Sequence, residues 1–139
     1  MSGSSFVDTN IMVYARDPTD PDKQTLAEDL LKRLSRDRSG RISTQVLNEY
    51  YVTVTHKLKP GMLPEEAWLD VKDFQVWRPV AVDMPLLHQA FRFQQRYGLS
   101  WWDSLIVGAA ALSDCVRVYS EDLSHRQMYF GIEVVNPFV

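Results

Sequence analysis

Short apolar runs alternate along the chain with longer stretches whose apolar positions recur every three or four residues. The first run, Ser5-Phe6-Val7, reads as a strand. A helix then starts at Asp20-Pro21, with Asp20 as N-cap and Pro21 at the first helical position. Its apolar stripe is Leu26, Ala27, Leu30, Leu31 and Leu34, and Gly40 is expected to end it. A second strand covers 41–43. Ser43 or Thr44 then caps a helix over 44–57 that shows Val46, Leu47, Tyr50 and Val54 on one face. Pro60-Gly61 breaks the chain, and Pro64 opens a helix over 64–75. A third strand is expected at 80–82. Asp83 caps the next helix, with Leu86, Leu87, Ala90, Phe91 and Tyr97 inward and Gly98 closing it. Ser100 begins a helix over 100–113, followed by a fourth strand at 116–119, a helical turn at 124–129 and a fifth strand at 133–135. This alternation predicts an α/β fold: a parallel sheet of four to five strands, covered by helices on both faces. Such sheets bind ligands beyond the carboxyl ends of their strands, where strand order reverses.

Length and composition narrow the classes. At 139 residues the chain has the size of one domain, expected to span 1–139. With 45% apolar and 12% aromatic residues it is neither disordered, collagenous nor coiled-coil. Fifteen basic against 18 acidic side chains leave a net charge of −3, so bulk charge cannot hold nucleic acid. A phosphate ligand therefore needs a local basic strip or a bound cation. The single cysteine, Cys115, excludes an internal disulfide and a cysteine-built metal site, and agrees with a reducing compartment. The first five residues show no leader pattern, and the longest apolar run, 105–112, is interrupted by Gly108. It is well short of the roughly 18 residues that span a bilayer. A cytoplasmic protein with no membrane partner is the expectation.

The acidic residues fall in informative places. Asp8 directly follows the first strand, and Asp122 lies just beyond the fourth. Glu49 sits early in the helix after the second strand, and Asp103 in the first turn after Ser100. If the first and fourth strands are neighbours, the four carboxylates converge at the functional rim. Converging carboxylates repel, so such a cluster calls for a positive ion between them. An all-oxygen donor set suits Mg²⁺ or Mn²⁺, which lowers the pKa of an attacking water and offsets charge on a phosphodiester transition state.

The residues around these acids carry a family resemblance. Phe6-Val7-Asp8-Thr9-Asn10-Ile11 resembles the opening motif of the PIN-domain nucleases, and Ser43-Thr44-Gln45-Val46-Leu47-Asn48-Glu49 is similar to their second. Ser100-Trp101-Trp102-Asp103-Ser104-Leu105-Ile106 resembles the third. Ser120-Glu121-Asp122-Leu123 and the ending Val134-Val135-Asn136-Pro137-Phe138 resemble the fourth motif and last strand of VapC-like toxins. The resemblance implies a three-layer α/β/α sandwich and a metal-dependent endoribonuclease, often the toxin of a toxin–antitoxin pair and often a homodimer. By position it implies catalytic roles for Asp8, Glu49, Asp103 and Asp122, with Asp8, Asp103 and Asp122 on Mg²⁺ or Mn²⁺. Asn10 and Ser120 match its substrate-positioning residues. The family often carries Thr and Asn where this chain has Ser120 and Glu121; strand alternation expects Glu121 and Asp122 to point apart.

Each candidate also has a plainer reading. Asp8 and Asn10 fit an Asx turn or a helix cap, Glu49 a solvated helix acid, and Asp103 a capping-box acid. Asp122 fits a turn acid and Ser120 a cap, while His125 reads as an exposed loop side chain. The basic stretch Lys32, Arg33, Arg36, Arg38 and Arg41 fits a solvated helix end. Of Trp101 and Trp102, one is expected in the core; Trp68 and Trp77 are both expected there. A non-catalytic binding module of the same fold is the alternative function. A phosphorylated receiver domain fits poorly, since Asp8 has no acidic neighbour and no lysine follows Lys72.

Overall fold

The structure is a computed structural model that describes residues 3–139; Met1 and Ser2, on which the leader reading partly rests, lie outside the described residues. The chain runs β1 (Ser4–Val7), α1 (Thr9–Tyr14), α2 (Pro21–Asp37), β2 (Gly40–Arg41) and α3 (Thr44–Val52). A π-helical turn (Thr53–Lys57) extends α3. Then come α4 (Pro64–Asp73), a 3₁₀ turn (Phe74–Trp77), α5 (Met84–Tyr97), α6 (Trp101–Leu112), β3 (Cys115–Tyr119), β4 (Met128–Tyr129) and β5 (Ile132–Val135). The sheet order is β2-β1-β3-β5-β4. From β1 the chain moves to one side to make β2, then returns to the other side for β3, so the order reverses between β1 and β3.

Helices flank this mostly parallel sheet, as expected. Ser5, Phe6 and Val7 are all fully buried, which requires cover on both faces of β1. On α6, every residue from Ser104 to Ala110 is buried, so it packs as a core helix and not an amphipathic one. Gly108 lets α5 approach closely, since a Cβ there would meet the Ala90 backbone nitrogen at 3.1 Å. No helix among the described residues is long and apolar enough to cross a membrane.

Local chemistry fixes the element ends. Asp20, Ser43, Asp83 and Ser100 each accept a first-turn backbone N–H as side-chain N-caps. α2 stops at Arg38 in the left-handed region, not at Gly40. Gly40 instead opens β2, where a Cβ would lie 2.5 Å from the Trp77 ring.

Further expectations are corrected. The strand at 80–82 is only an isolated parallel bridge between Ser43 and Val80. The helical turn expected at 124–129 instead ends in β4, which pairs antiparallel with β5. Phe130 (φ 46°) and Gly131 (φ 81°) form its two-residue turn, the double positive φ of a type I′ hairpin. Packing holds Phe130 there: its ring meets Phe93 and Tyr97 edge-on, and its N–H donates to the Tyr97 hydroxyl at 2.7 Å. Among side chains expected inside, Phe91 and Trp68 are more than half exposed, and Phe93 takes the core position on α5. Trp77 is buried, Trp101 packs against the core and Trp102 is exposed.

Candidate active site

Parallel pairing brings the ends of β1 and β3 together. Val7 pairs with Tyr119, and the Asp8 N–H donates to the Tyr119 carbonyl at 2.9 Å. The next residues, Asp8 and Ser120, therefore emerge side by side. The Ser120 hydroxyl donates to Asp8 Oδ2 at 2.8 Å. Asp8 Oδ1 accepts the Thr9 N–H at 2.7 Å, so the same carboxylate caps α1. The plainer reading of Asp8 as a cap is thus correct and compatible with a site.

Asn10 ties two acids together. Its Nδ2 lies 3.1 Å from Asp122 Oδ2 and 3.4 Å from Asp8 Oδ2, and its Oδ1 accepts the Glu121 N–H at 3.1 Å. Ser120 Oγ accepts the N–H groups of Asp122 and Leu123, shaping the turn that carries Asp122 back over the sheet edge. Glu49 arrives from α3: Thr9 Oγ1 donates to its Oε2 at 2.9 Å and Gln45 Nε2 to its Oε1 at 3.0 Å. β3 ends at Tyr119, so strand alternation does not reach Glu121 and Asp122, and both line one cleft with different partners. Glu121 accepts from Tyr14 at 2.6 Å and pairs with Lys23. Burial works against its ionisation, but Lys23 and Tyr14 outweigh that and hold its carboxyl below the ordinary value.

Hydrogen bonds join Asp8, Asn10, Ser120 and Asp122 directly and bring in Glu49 through Thr9, whereas among the described residues Asp103 shares none of them. Asp103 is half-buried in the first turn of α6, where its N–H donates to the Ser100 cap at 3.1 Å. Its charge, after burial, helps push the Tyr129 phenol up. Its link to the cluster is indirect: the neighbouring Trp102 carbonyl accepts from Gln45 Nε2 at 3.5 Å. The sequence reading missed Thr9 and Gln45 as Glu49 anchors, although Gln45 lies one helical turn before Glu49. His125 accepts the Asn136 N–H at 2.9 Å and has a structural role.

Asp8 is 6% exposed, and its pKa rises from 3.8 to about 6. Burial is the main cause, hydrogen bonds from Ser120 and Thr9 oppose it, and the charges of Asp122 and Glu49 add to it. A hard cation fits this donor chemistry: every donor is oxygen, and the buried Gln45 Oε1 has no hydrogen-bond partner among the described residues. The side chains are not drawn in around an ion, however. No three His, Cys, Asp or Glu among the described residues are grouped to hold one, and Asn10 Nδ2 bridges Asp8 and Asp122. The cluster opens into a cleft of about 690 Å³ between α1 and the α3 segment, lined by residues that include Tyr14, Asn48, Glu49, Lys57 and Asp122.

The family model described as PIN domain matches residues 5–131. The chain belongs to the PIN-domain family. Among solved structures, this PIN domain is similar to a toxin–antitoxin complex from Klebsiella pneumoniae (17% identity, 96% of this chain and 98% of that one, TM-score 0.69). It is also similar to Mycobacterium tuberculosis VapC20, described as a sarcin–ricin loop cleaving toxin (20%, 86% and 90%, TM-score 0.62). A third is Rickettsia felis VapBC2 bound to a promoter DNA fragment (15%, 94% and 96%, TM-score 0.64). At these identities the likeness is one of fold. No curated protein sequence matches the chain.

Proposed function

We propose that this PIN domain is a Mg²⁺- or Mn²⁺-dependent endoribonuclease, the toxin of a toxin–antitoxin pair. The observation that carries the reading is Asp8: a buried carboxylate at the sheet's switch point, held against Asp122 through Asn10 and repelled by Asp122 and Glu49. Membership of the PIN-domain family and the toxin–antitoxin neighbours support it.

Asp8, Asp103 and Asp122 would hold the ion, with Glu49 completing the site directly or through water. The bound ion supplies a lowered pKa for the attacking water and neutralisation of phosphodiester charge. The chain's own residues do the rest. Ser120 and Thr9 fix the Asp8 carboxylate and Asn10 aligns Asp122, so the donors are oriented by hydrogen bonds that do not depend on the ion. Gln45 and Thr9 hold Glu49 toward the cleft. RNA is the substrate in this reading, an antitoxin protein and a second copy of the chain are its partners, and the cytoplasm is its compartment.

A non-catalytic binding module is the second reading, favoured because no three acids among the described residues are grouped to hold an ion. Calorimetric titration with Mn²⁺ followed by incubation with single-stranded RNA separates them. The nuclease reading expects ion binding by the wild type, none by Asp8→Asn, and RNA cleavage that EDTA abolishes. Absence of both binding and cleavage contradicts it.

A further inference from the structure

The cleft beside the acids carries a feature that the acids do not explain. Asp17, Glu49, Glu121 and Asp122 line it, and Lys57 is the sole lysine or arginine lining it among the described residues. Lys23, nearby, is committed to Glu121. Lys57 is exposed and has no ion pair among the described residues. Lys57, whose ammonium offers three donors and no acceptor, thus borders a cleft whose other charged residues are acidic.

The backbone puts it there. α3 does not end at Val52 but continues as a π-helical turn, closed by the Leu58 N–H donating to the Thr53 carbonyl at 3.0 Å. A π turn spends one more residue per turn than an α-helix, and such turns are frequent at functional sites. Counting from Glu49, an uninterrupted α-helix returns to the same face at position 56. The extra residue of the π turn delays that return by one. Lys57, not His56, therefore lines the cleft that Glu49 lines, while His56 Nδ1 sits 2.8 Å from Thr55 Oγ1.

We propose that Lys57, presented by the π turn, binds a backbone phosphate of single-stranded RNA next to the bond being cut. This rests on the endoribonuclease reading and adds a subsite to it. An ion among the carboxylates attracts the scissile phosphate, but the rest of the cleft repels the strand. One uncommitted cation offsets that repulsion and sets the strand's path away from the carboxylates. Because phosphate is common to every nucleotide, the contact holds RNA without reading its sequence.

The test measures binding of labelled single-stranded RNAs of different sequence to the full chain in the Asp8→Asn background, where the RNA stays intact. Cleavage KM and kcat are measured with native Asp8 in Mn²⁺. Lys57→Gln is expected to weaken binding about fivefold on every sequence and to reduce the salt slope of log Kd by roughly 0.7. The cleavage loss falls mainly on KM. Lys57→Arg restores most of the affinity, and Lys59→Gln, a nearby lysine that does not line the cleft, changes neither quantity. If the native chain cleaves RNA and Lys57→Gln leaves affinity, salt slope and KM unchanged, the subsite is overturned and the nuclease reading stands. A loss that depends on RNA sequence overturns the phosphate assignment. If the native chain neither binds nor cleaves RNA, both readings fall.

Discussion

At the scale of single residues, the energetics centre on Asp8. Its raised pKa means that the folded chain binds a proton more tightly than the unfolded chain does. That contribution to stability is fully present below the ordinary carboxylate range and is lost as pH rises through about 6. The shift corresponds to ~3 kcal/mol. Urea unfolding in EDTA is therefore expected to show Asp8→Asn gaining on the wild type by up to ~3 kcal/mol between about pH 4 and pH 7.5. A difference that stays constant with pH contradicts the burial argument. Ser120 is the second sensitive position, since its one hydroxyl donates to Asp8 and accepts two N–H groups. Ser120→Ala should lower stability by ~1–3 kcal/mol in thermal unfolding, because buried partners lose their hydrogen bonds.

Among the elements, β2 and its neighbours show how tightly the far edge is built. Gly40→Ala drives a Cβ into the Trp77 ring and is expected to cost about 1–3 kcal/mol, read as a lower Tm at unchanged secondary structure. An unchanged Tm would mean that the 3₁₀ turn carrying Trp77 yields freely. Capped helices were legible in the sequence because their signals are local: Asp20, Ser43, Asp83 and Ser100 announce themselves by position. β4 was not legible, because its two residues become a strand only by pairing with β5. Its turn uses Phe130-Gly131 where Asn-Gly would give the usual signal, and aromatic packing supplies what the turn residue does not. The π turn was equally silent, since apolar spacing at Val46, Tyr50 and Val54 suits an ordinary helix. In the site, Asp8 and Asp122 could be read from their places after strands. The Thr9 and Gln45 anchors of Glu49 depend on α1 and α3 meeting in space.

For the whole molecule, the proposed activity sets an acidic protein to work on a polyanion, and the topology supplies the place for it. The β1–β3 reversal gathers carboxylates from distant parts of the chain at one rim, while the net charge of −3 disfavours RNA elsewhere. Above pH 6 the metal-free site carries unfavourable charge, so adding Mn²⁺ should raise the wild-type Tm there and leave Asp8→Asn unmoved. The most direct measurement is cleavage of single-stranded RNA by the wild type and by Asp8→Asn at matched Mg²⁺. The account predicts a loss of more than about 100-fold in the variant at a preserved circular dichroism spectrum, and no cleavage by either chain in EDTA. Cleavage by Asp8→Asn at the wild-type rate, or wild-type cleavage that survives EDTA, would contradict it.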